Sequence, residues 1–248
     1  MGQDALQAGR EPRLWRLHSD AVNASFVRRA IAGRRFRSAL KTDLFDEAMT
    51  AGIVPVIREG TDSVAGIDFS AQIVERAQSR YPDLGARTAD VRRLPFEDGS
   101  FDLVVSLSTI DHLGSHEEMA EAVLELARVL APGGTLAITV DNQLNPVVAL
   151  RNLLPRRPLR RLGLVAYPAG PAVGPRRLER LVRGAGLRPS RSEALMHCPR
   201  LPAVALARRL RSPRSEVRFL SAARRCEALN RLPSRYISGY FAAIVAIR

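Results

Sequence analysis

Between residues 36 and 142, short apolar runs alternate four times with longer segments, and each run ends in polar residues. The apolar runs predict strands at residues 36–42, 63–70, 101–106 and 136–140. The segments between them carry apolar side chains at helical spacing, and a capping box of Ser115 and Glu118 marks the clearest helix start. Because repeated strand–helix–strand units build parallel sheets covered by helices on both faces, the sequence predicts an α/β fold.

Polar side chains stand where the predicted strands end, which is the edge where open α/β sheets bind ligands. Asp68 stands at the end of the second apolar run, Asp90 precedes the turn into the strand at residues 101–106, and Ser106 ends that strand. An acidic residue at the end of the second strand of such a unit accepts hydrogen bonds from both ribose hydroxyls. This edge therefore predicts a site for a nucleoside-containing ligand.

The turn after the first strand, KTDLFDEA at residues 41–48, contains no glycine. Loops that cradle a pyrophosphate usually carry glycines, because bare backbone lets the phosphates approach the amides. This turn instead offers several carboxylates, which suit a ligand with an ammonium or sulfonium charge. A second interpretation stays open for Asp46 and Glu47, since acidic residues also stabilise a solvated helix N-terminus.

Residues 38–142 resemble a class I S-adenosylmethionine-dependent methyltransferase of the small-molecule type. The resemblance is carried by DVRRLPFEDGSFDLVVS at residues 90–106, LARVLAPGGTLAITV at residues 126–140, and AGID at residues 65–68. It implies a Rossmann-like, seven-stranded, mostly parallel sheet with helices on both faces and an antiparallel last strand. It also implies S-adenosylmethionine as cofactor and S-adenosylhomocysteine as product.

By this resemblance, Asp68 would hold the ribose, Asp90 and Val91 the adenine, and Ser106 and Leu107 the methionine end. The cofactor-binding residues expected are Thr42, Asp43, Glu47, Gly66, Asp68, Phe69, Asp90, Val91, Ser106 and Leu107. The first motif departs from the family pattern of an acidic residue followed by glycines at alternate positions. Either Lys41 or Asp43 occupies the acidic position, and Asp43 is preferred because it restores a carboxylate at the strand tip.

Methyl transfer from a sulfonium is an in-line displacement, so holding donor and acceptor aligned supplies much of the acceleration. A base is needed only where the acceptor must lose a proton. His112, just past the strand at residues 101–106, is the best candidate for this base, and Asp111 is the next. The alternative for His112 is a structural role at the start of a helix. His116 ranks after them, and His197 and Tyr240 are weaker candidates for the substrate pocket.

The resemblance and the interruptions between periodic segments predict four parts of the chain. Residues 1–35 form a leader and a helix, and 36–142 the cofactor-binding core. Residues 143–175 form a basic, substrate-facing insertion, and 176–248 complete the sheet. The insertion reads either as a basic amphipathic lid, facing a membrane surface or a phosphate-bearing substrate, or as a lid helix packed on the core with its arginines in water.

The net charge of the chain is compatible with several kinds of partner. The chain of 248 residues has a formal net charge of +13, and Lys41 is its single lysine, so the excess is arginine. Either an anionic partner or a compositional bias explains this. Aromatic residues make up only 5%, with one Trp, which argues against a stacking platform for single-stranded RNA. Cys198 and Cys226 have no metal-site spacing, and no metal is expected.

Three functions follow. The first is a methyltransferase acting on a small molecule or on a lipid or secondary-metabolite precursor. The second is a methyltransferase-fold protein without methyl transfer, serving as a binding or partner subunit. The third is an RNA methyltransferase. The expected partners are a small or lipid-like substrate and an anionic membrane surface, with nucleic acid disfavoured and the oligomeric state open. With no apolar run long enough for a span and no signal-peptide core, the expected location is cytoplasmic.

Overall fold

The computed structural model describes residues 12–153 and 170–248. Seven strands form one sheet in the order β3-β2-β1-β4-β5-β7-β6. They are β1 (Phe36–Thr42), β2 (Thr61–Asp68), β3 (Gly85–Thr88), β4 (Phe101–Leu107), β5 (Leu130–Asp141), β6 (Arg188–Leu195) and β7 (Phe241–Ile247). Pairing is parallel from β3 through β5, and β7 runs antiparallel to both β5 and β6. The predicted seven-stranded sheet with an antiparallel last strand is confirmed.

Helices cover both faces of this sheet. They are α1 (Arg13–Ile31), α2 (Phe45–Met49), α3 (Val54–Arg58), α4 (Ala71–Arg80), α5 (His116–Val129), α6 (Pro146–Leu153), α7 (Pro175–Gly184), α8 (Arg200–Ala207), α9 (Pro213–Cys226) and α10 (Arg235–Ser238), with 3₁₀ turns at Ile110–His112 and Glu227–Arg231. Within the described ranges, no helix combines the length and apolar character that crossing a bilayer requires.

The central strands are buried on both faces, which is why their sequences are continuous apolar runs instead of alternating patterns. In β4, Leu103 and Val105 pack in the cluster that includes α1, while Val104 packs in the cluster on the opposite face, with α5 and α7. In α1, the face containing Val22 and Phe26 is buried, as the helical periodicity predicted. The hydrophobic effect on these two layers therefore fixes both the sheet and its covering helices.

The sheet order reverses between β1 and β4. Thr42, the last residue of β1, is in register with Ile67 of β2 on one side and Ser106 of β4 on the other. The chain leaves β1 toward β2 and later returns to β4, so the connecting segments diverge at this point. Such a divergence opens a crevice at the carboxyl ends of the strands, where open α/β sheets bind their ligands.

Several predicted boundaries were wrong. Ser19 and Asp20 are residues that cap helices and predict a helix start there, but the first helix begins at Arg13, because Leu14 and Trp15 extend its buried face by a turn. The apolar residues from Ile237 to Ile247 predict the last strand, but it begins at Phe241, because Arg235–Ser238 form α10.

Two smaller local predictions were also wrong. Pro55 predicts an irregular turn, but this segment forms the short helix α3. The second strand ends at Asp68 and not at residue 70, and Ser70, which predicts a capped start of the next helix, makes no side-chain cap on it.

The predicted insertion at residues 143–175 is described in part. It contains α6, whereas Leu154, Arg156, Arg157, Arg160 and Arg161 lie outside the described residues, as do residues 1–11 of the predicted leader. The division of the chain into four parts stays a prediction.

Candidate functional site

A cavity of about 140 Å³ lies at the carboxyl ends of β1 and β4. It is lined by Ser19, Asn23, Lys41, Asp43, Asp46, Ile53, Leu107, Ser108, Thr139 and Phe241. The side chains from α1 cover it, and the Arg16 guanidinium joins α1 to Asp46 of α2 at 3.2 Å. The cavity therefore occupies the predicted crevice, beneath the N-terminal helix.

A buried ion pair replaces the glycines of the first turn. Lys41 Nζ lies 2.8 Å from Glu47 Oε2, and both side chains are nearly inaccessible to solvent. Glu47 Oε1 accepts hydrogen bonds from the amides of Ile53 at 2.9 Å and Val54 at 3.3 Å. A Cβ on Gly52 would lie 2.3 Å from that same oxygen, so Gly52 leaves the room that the Glu47 carboxylate occupies. The turn is thus held by a buried ion pair and by hydrogen bonds from backbone amides to Glu47.

Asp43 faces the cavity from a left-handed backbone conformation, with φ of 70°. Its Oδ1 accepts a hydrogen bond from the Phe45 amide at 2.9 Å, which fixes the turn into α2. Burial raises the pKa of Asp43 to about 7 and the Asp68 carboxylate adds to the rise, while Lys41 opposes it. For Lys41, burial lowers the pKa, but the carboxylates of Glu47, Asp43 and Asp46 outweigh burial and raise it overall.

Asp68 joins the second strand to the first turn. Its Oδ2 accepts a hydrogen bond from the Leu44 amide at 2.9 Å, and its Oδ1 accepts one from Ser70 at 2.8 Å. Gly66, two residues earlier, is covered by Leu44, because an added Cβ would lie 2.6 Å from Leu44 Cδ2. Phe69 follows with 71% of its surface exposed. The tip of β2 therefore presents one carboxylate and one exposed ring beside the first turn.

Asp90 belongs to a chain of three charged groups. Arg92 Nη2 lies 2.6 Å from Asp90 Oδ2, and Arg92 Nη1 lies 2.6 Å from Glu118 Oε1. Hydrogen bonding to Arg92 lowers the pKa of Asp90, so its carboxylate remains ionised and able to accept further hydrogen bonds. Val91 beside it is buried.

Hydroxyl groups connect the tips of β1 and β4. Thr42 Oγ1 lies 2.9 Å from both Ser106 Oγ and Thr109 Oγ1, and the Thr42 and Ser106 side chains are fully buried. Both were expected to bind the cofactor, yet neither side chain reaches the cavity surface. Leu107, which was expected with Ser106 near the methionine end, does line the cavity.

Ser108 is a site residue that the sequence did not reveal. It lines the cavity from a left-handed conformation with φ of 49°. Its hydroxyl donates to Asp111 Oδ2 at 3.0 Å, and that oxygen also accepts from the Asp141 amide at 3.1 Å. Burial, followed by repulsion from Asp141, raises the pKa of Asp111 to about 6. A non-glycine residue with positive φ is uncommon, and no local sequence pattern marks Ser108 as one.

The other predicted candidates lie apart from the cavity. His112 is exposed on the 3₁₀ turn and does not line it, and His116 begins α5. His197 is buried, with Nδ1 bound to Ser238 Oγ at 2.8 Å and Nε2 to the Ala194 carbonyl at 3.1 Å. Tyr240 is also buried and accepts a hydrogen bond from Arg151 at 3.1 Å. In the described part of the chain, no three His, Cys, Asp or Glu side chains are grouped so as to hold a metal ion.

Known proteins resemble this chain in sequence and in fold. A family model described as a methyltransferase domain matches residues 49–138. A probable tRNA methyltransferase 9B from Mus musculus is 40% identical over 75 residues, which is 30% of this chain and 16% of that protein. A demethylmenaquinone methyltransferase from Renibacterium salmoninarum is 34% identical over 138 residues, 54% of this chain and 50% of that protein.

The N-methyltransferase NodS from Bradyrhizobium japonicum, solved in complex with S-adenosylhomocysteine, has a similar structure with a TM-score of 0.58. It is 14% identical, and the match covers 99% of this chain and 97% of that chain, so the likeness is one of fold. The chain spans half or less of the length of the two curated relatives, at 50% and 16%.

Proposed function

We propose that this chain, a class I methyltransferase by fold and by its matched domain, transfers the methyl group of S-adenosylmethionine to a small-molecule or lipid-like acceptor. One observation carries the proposal. At the point where the sheet order reverses, between β1 and β4, Asp43, Leu107 and Ser108 line one cavity. Asp68 accepts a hydrogen bond from the amide of Leu44, the residue that follows Asp43. This is the crevice in which open α/β sheets bind nucleotide cofactors.

The nucleoside half of the cofactor fits the tips of β2 and β3. Each oxygen of Asp68 accepts one backbone hydrogen bond, and a carboxylate has about four acceptor sites, so both oxygens can still accept ribose hydroxyls. Phe69 offers an exposed ring for stacking, and the ionised Asp90 accepts from an exocyclic amine. Asp68, Phe69, Asp90 and Val91 would therefore hold the nucleoside.

The methionine half meets the unusual first turn. The backbone favours Lys41, inside β1, as the residue at the family's acidic position, because Asp43 two residues later adopts the left-handed conformation typical of glycine. This register differs from the one that the sequence favoured. Asp43 and Asp46 would then face the ammonium group, while Glu47 balances Lys41 beneath them.

S-adenosylmethionine, when bound, supplies an electrophilic methyl group. Ser108 and Asp111 would take up the proton of an acceptor that must lose one: the acceptor proton moves to Ser108 Oγ as the Ser108 proton moves to Asp111 Oδ2. A carboxylate with a pKa of about 6 is suited to accept a proton near neutral pH. Neither Asp111 nor His112 lines the cavity, but Asp111 accepts a hydrogen bond from Ser108, which does line it, and Asp111 therefore ranks ahead of His112.

Calorimetric titration of S-adenosylmethionine and S-adenosylhomocysteine tests the proposal. Wild type should bind both, Asp68→Ala should bind neither well, and Asp62→Ala is the matched control because that aspartate pairs with Arg35 on the surface. Absence of binding to wild type would exclude the enzyme. Incubation with a tritium-labelled methyl donor and fractionated cell extract then identifies the acceptor by the fraction that gains label.

Loss of methyl transfer is a second candidate, favoured by the first turn. The Lys41–Glu47 pair fills the space of the glycine loop, and about 140 Å³ is below the roughly 300 Å³ typical of ligand pockets. A binding or partner subunit of this kind would show no cofactor binding, even at high cofactor concentration, while remaining folded.

An RNA methyltransferase is the third candidate, favoured by the relative named a probable tRNA methyltransferase and by the net charge of +13. It predicts label in the RNA fraction and RNA binding that weakens steeply with salt. The low aromatic content places it behind the small-molecule acceptor.

A further inference from the structure

Helix α6 buries Val148 and most of Arg151 but exposes several apolar side chains. Its apolar residues Val147, Leu150 and Leu153 are 48%, 56% and 81% exposed, whereas the side chain of Arg151 is only 15% exposed. The three apolar residues recur at every third position and so share one face of the helix. A solvated helix normally shows the opposite pattern, with its charged residues outward, so this exposed apolar face calls for a partner.

The inward position of Arg151 explains why the apolar face points outward. Its Nη2 lies 2.5 Å from Asp141 Oδ2 at the end of β5, and its Nη1 donates to Tyr240 Oη at 3.1 Å. The Asp141 side chain is itself nearly buried. Because a buried carboxylate strongly requires its counter-charge, this pair anchors the helix in one rotational setting.

Neighbouring elements extend the same face. Asn145 Nδ2, just before α6, donates to the Ser238 carbonyl of α10 at 3.1 Å, next to Ile237, which is 59% exposed. The Arg200 guanidinium lies 5.8 Å from the centroid of the Tyr240 ring, and the next residue, Leu201, is 50% exposed. We define the apolar face as Leu144, Val147, Leu150, Leu153, Leu201 and Ile237.

The described sequence that flanks the elements of this face is rich in arginine. Residues 170–178 contain Arg176 and Arg177, residues 194–215 contain five arginines, and neither range contains Asp or Glu. Such a local charge is complementary to an anionic surface, and each basic residue near an anionic membrane contributes about 1 kcal/mol to binding. This excess of arginine over acidic residues is not uniform along the chain, because residues 43–47 contain three acidic residues and no arginine.

We propose that the apolar face docks on an anionic lipid bilayer, so that the methyl acceptor enters from the membrane; this rests on the proposed function. Exposed leucine and isoleucine beside arginine match the boundary between headgroups and acyl chains. An RNA surface fits less well, since none of the six residues is aromatic and single-stranded RNA is bound largely by stacking on aromatic rings. The face adjoins Asp141, whose amide donates to Asp111 of the proposed proton path.

Vesicle co-sedimentation of the full chain tests the docking. Wild type should sediment with vesicles of phosphatidylglycerol and phosphatidylcholine, and much less with phosphatidylcholine alone. Leu150→Glu should weaken binding to the anionic vesicles at least about tenfold, since it replaces a leucine that would be buried in the bilayer by a negative charge. Leu124→Glu is the matched control, because Leu124 is 55% exposed on α5, outside the face, and should leave binding unchanged.

Several outcomes would overturn the docking surface. They are no sedimentation of wild type with either vesicle, equal binding of the Leu150→Glu and Leu124→Glu variants, or retention on RNA without retention on vesicles. A dimer that dissociates on Leu150→Glu, detected by sedimentation velocity, would assign the face to a second copy of the chain instead. Calorimetry with S-adenosylmethionine on the same variants separates this result from the proposed function, because Leu150 does not line the cofactor cavity.

Discussion

The two halves of the candidate site are built on opposite principles. In the half formed by the tips of β2 and β3, carboxylates accept backbone amides or pair with one arginine near solvent, as Asp68 and Asp90 do. In the half formed by the turn after β1, Lys41 and Glu47 are buried and form an ion pair. The first half resembles the class I methyltransferase family in sequence, whereas the second departs from that pattern.

This difference shows what a glycine loop provides. Glycines let backbone amides approach a ligand closely, so the ligand itself satisfies them. Here Glu47 accepts two amides of the following segment, and Asp68 accepts the amide of Leu44. These amides are therefore hydrogen-bonded without a ligand. The affinity for a cofactor must come from side chains such as Asp43 instead of from exposed amides.

Breaking the buried pair should have the largest effect. Glu47→Ala removes the carboxylate that pairs directly with the buried Lys41 ammonium, and we expect the free energy of unfolding to fall by about 3–5 kcal/mol. Chemical denaturation measures the loss. Glu59→Ala, which removes an exposed pair with Arg28, should leave the unfolding midpoint nearly unchanged. Equal shifts in the two variants would show that the Lys41–Glu47 pair contributes no more than a surface contact.

The second largest effect is expected from removing Asp111, the proposed base. Asp111→Asn should lower kcat by about a hundredfold, because the Ser108 proton loses its acceptor. In wild type the rate should rise with pH through about 6, the pKa of Asp111, and the variant should lose this rise. The pH profile of methyl transfer to the identified acceptor gives the result. An unchanged profile in Asp111→Asn, with a lost one in His112→Gln, would return the role to His112.

The two carboxylates of the nucleoside half should differ from each other. Asp68→Ala should weaken cofactor binding by about ten- to a hundredfold, since a charged acceptor contributes about 1.5–3 kcal/mol. Asp90→Ala should cost less, because Arg92 already occupies part of its acceptor capacity. Calorimetry of both variants compares the two losses, and a larger loss for Asp90→Ala would reverse the ranking.

The smallest effect is expected for Asp43, whose contribution to the free energy of unfolding should depend on pH. The folded pKa of Asp43 is about 7, above the unfolded value of about 3.9, so its contribution to stability is complete below about pH 3.9 and is lost as pH rises through 7. Asp43→Asn should therefore stabilise the protein relative to wild type at pH 8, by about 1 kcal/mol, and not at pH 4. Thermal unfolding at both values measures this, and a stability difference independent of pH would contradict the assignment.

Much of the fold was predictable from the sequence. The limits of β1 and the buried faces of α1 and α5 followed from periodicity, and the motifs of residues 90–140 implied the sheet that the structure confirms. The site was predictable only in part. Asp43 and Leu107 line the cavity as expected, but the hydroxyls of Thr42 and Ser106 turn toward each other, and Ser108 was missed.

The sequence by itself determined the order of strands and helices and the edge at which the site lies, because the period of apolar residues reports which faces are buried. Only the tertiary structure decided that Glu47 neutralises Lys41, that Ser108 bonds Asp111, and that Arg151 turns inward to Asp141. These contacts depend on which polar atoms meet once solvent is excluded. A buried charge is costly without a partner, so the packed structure, and not the local pattern, selects that partner.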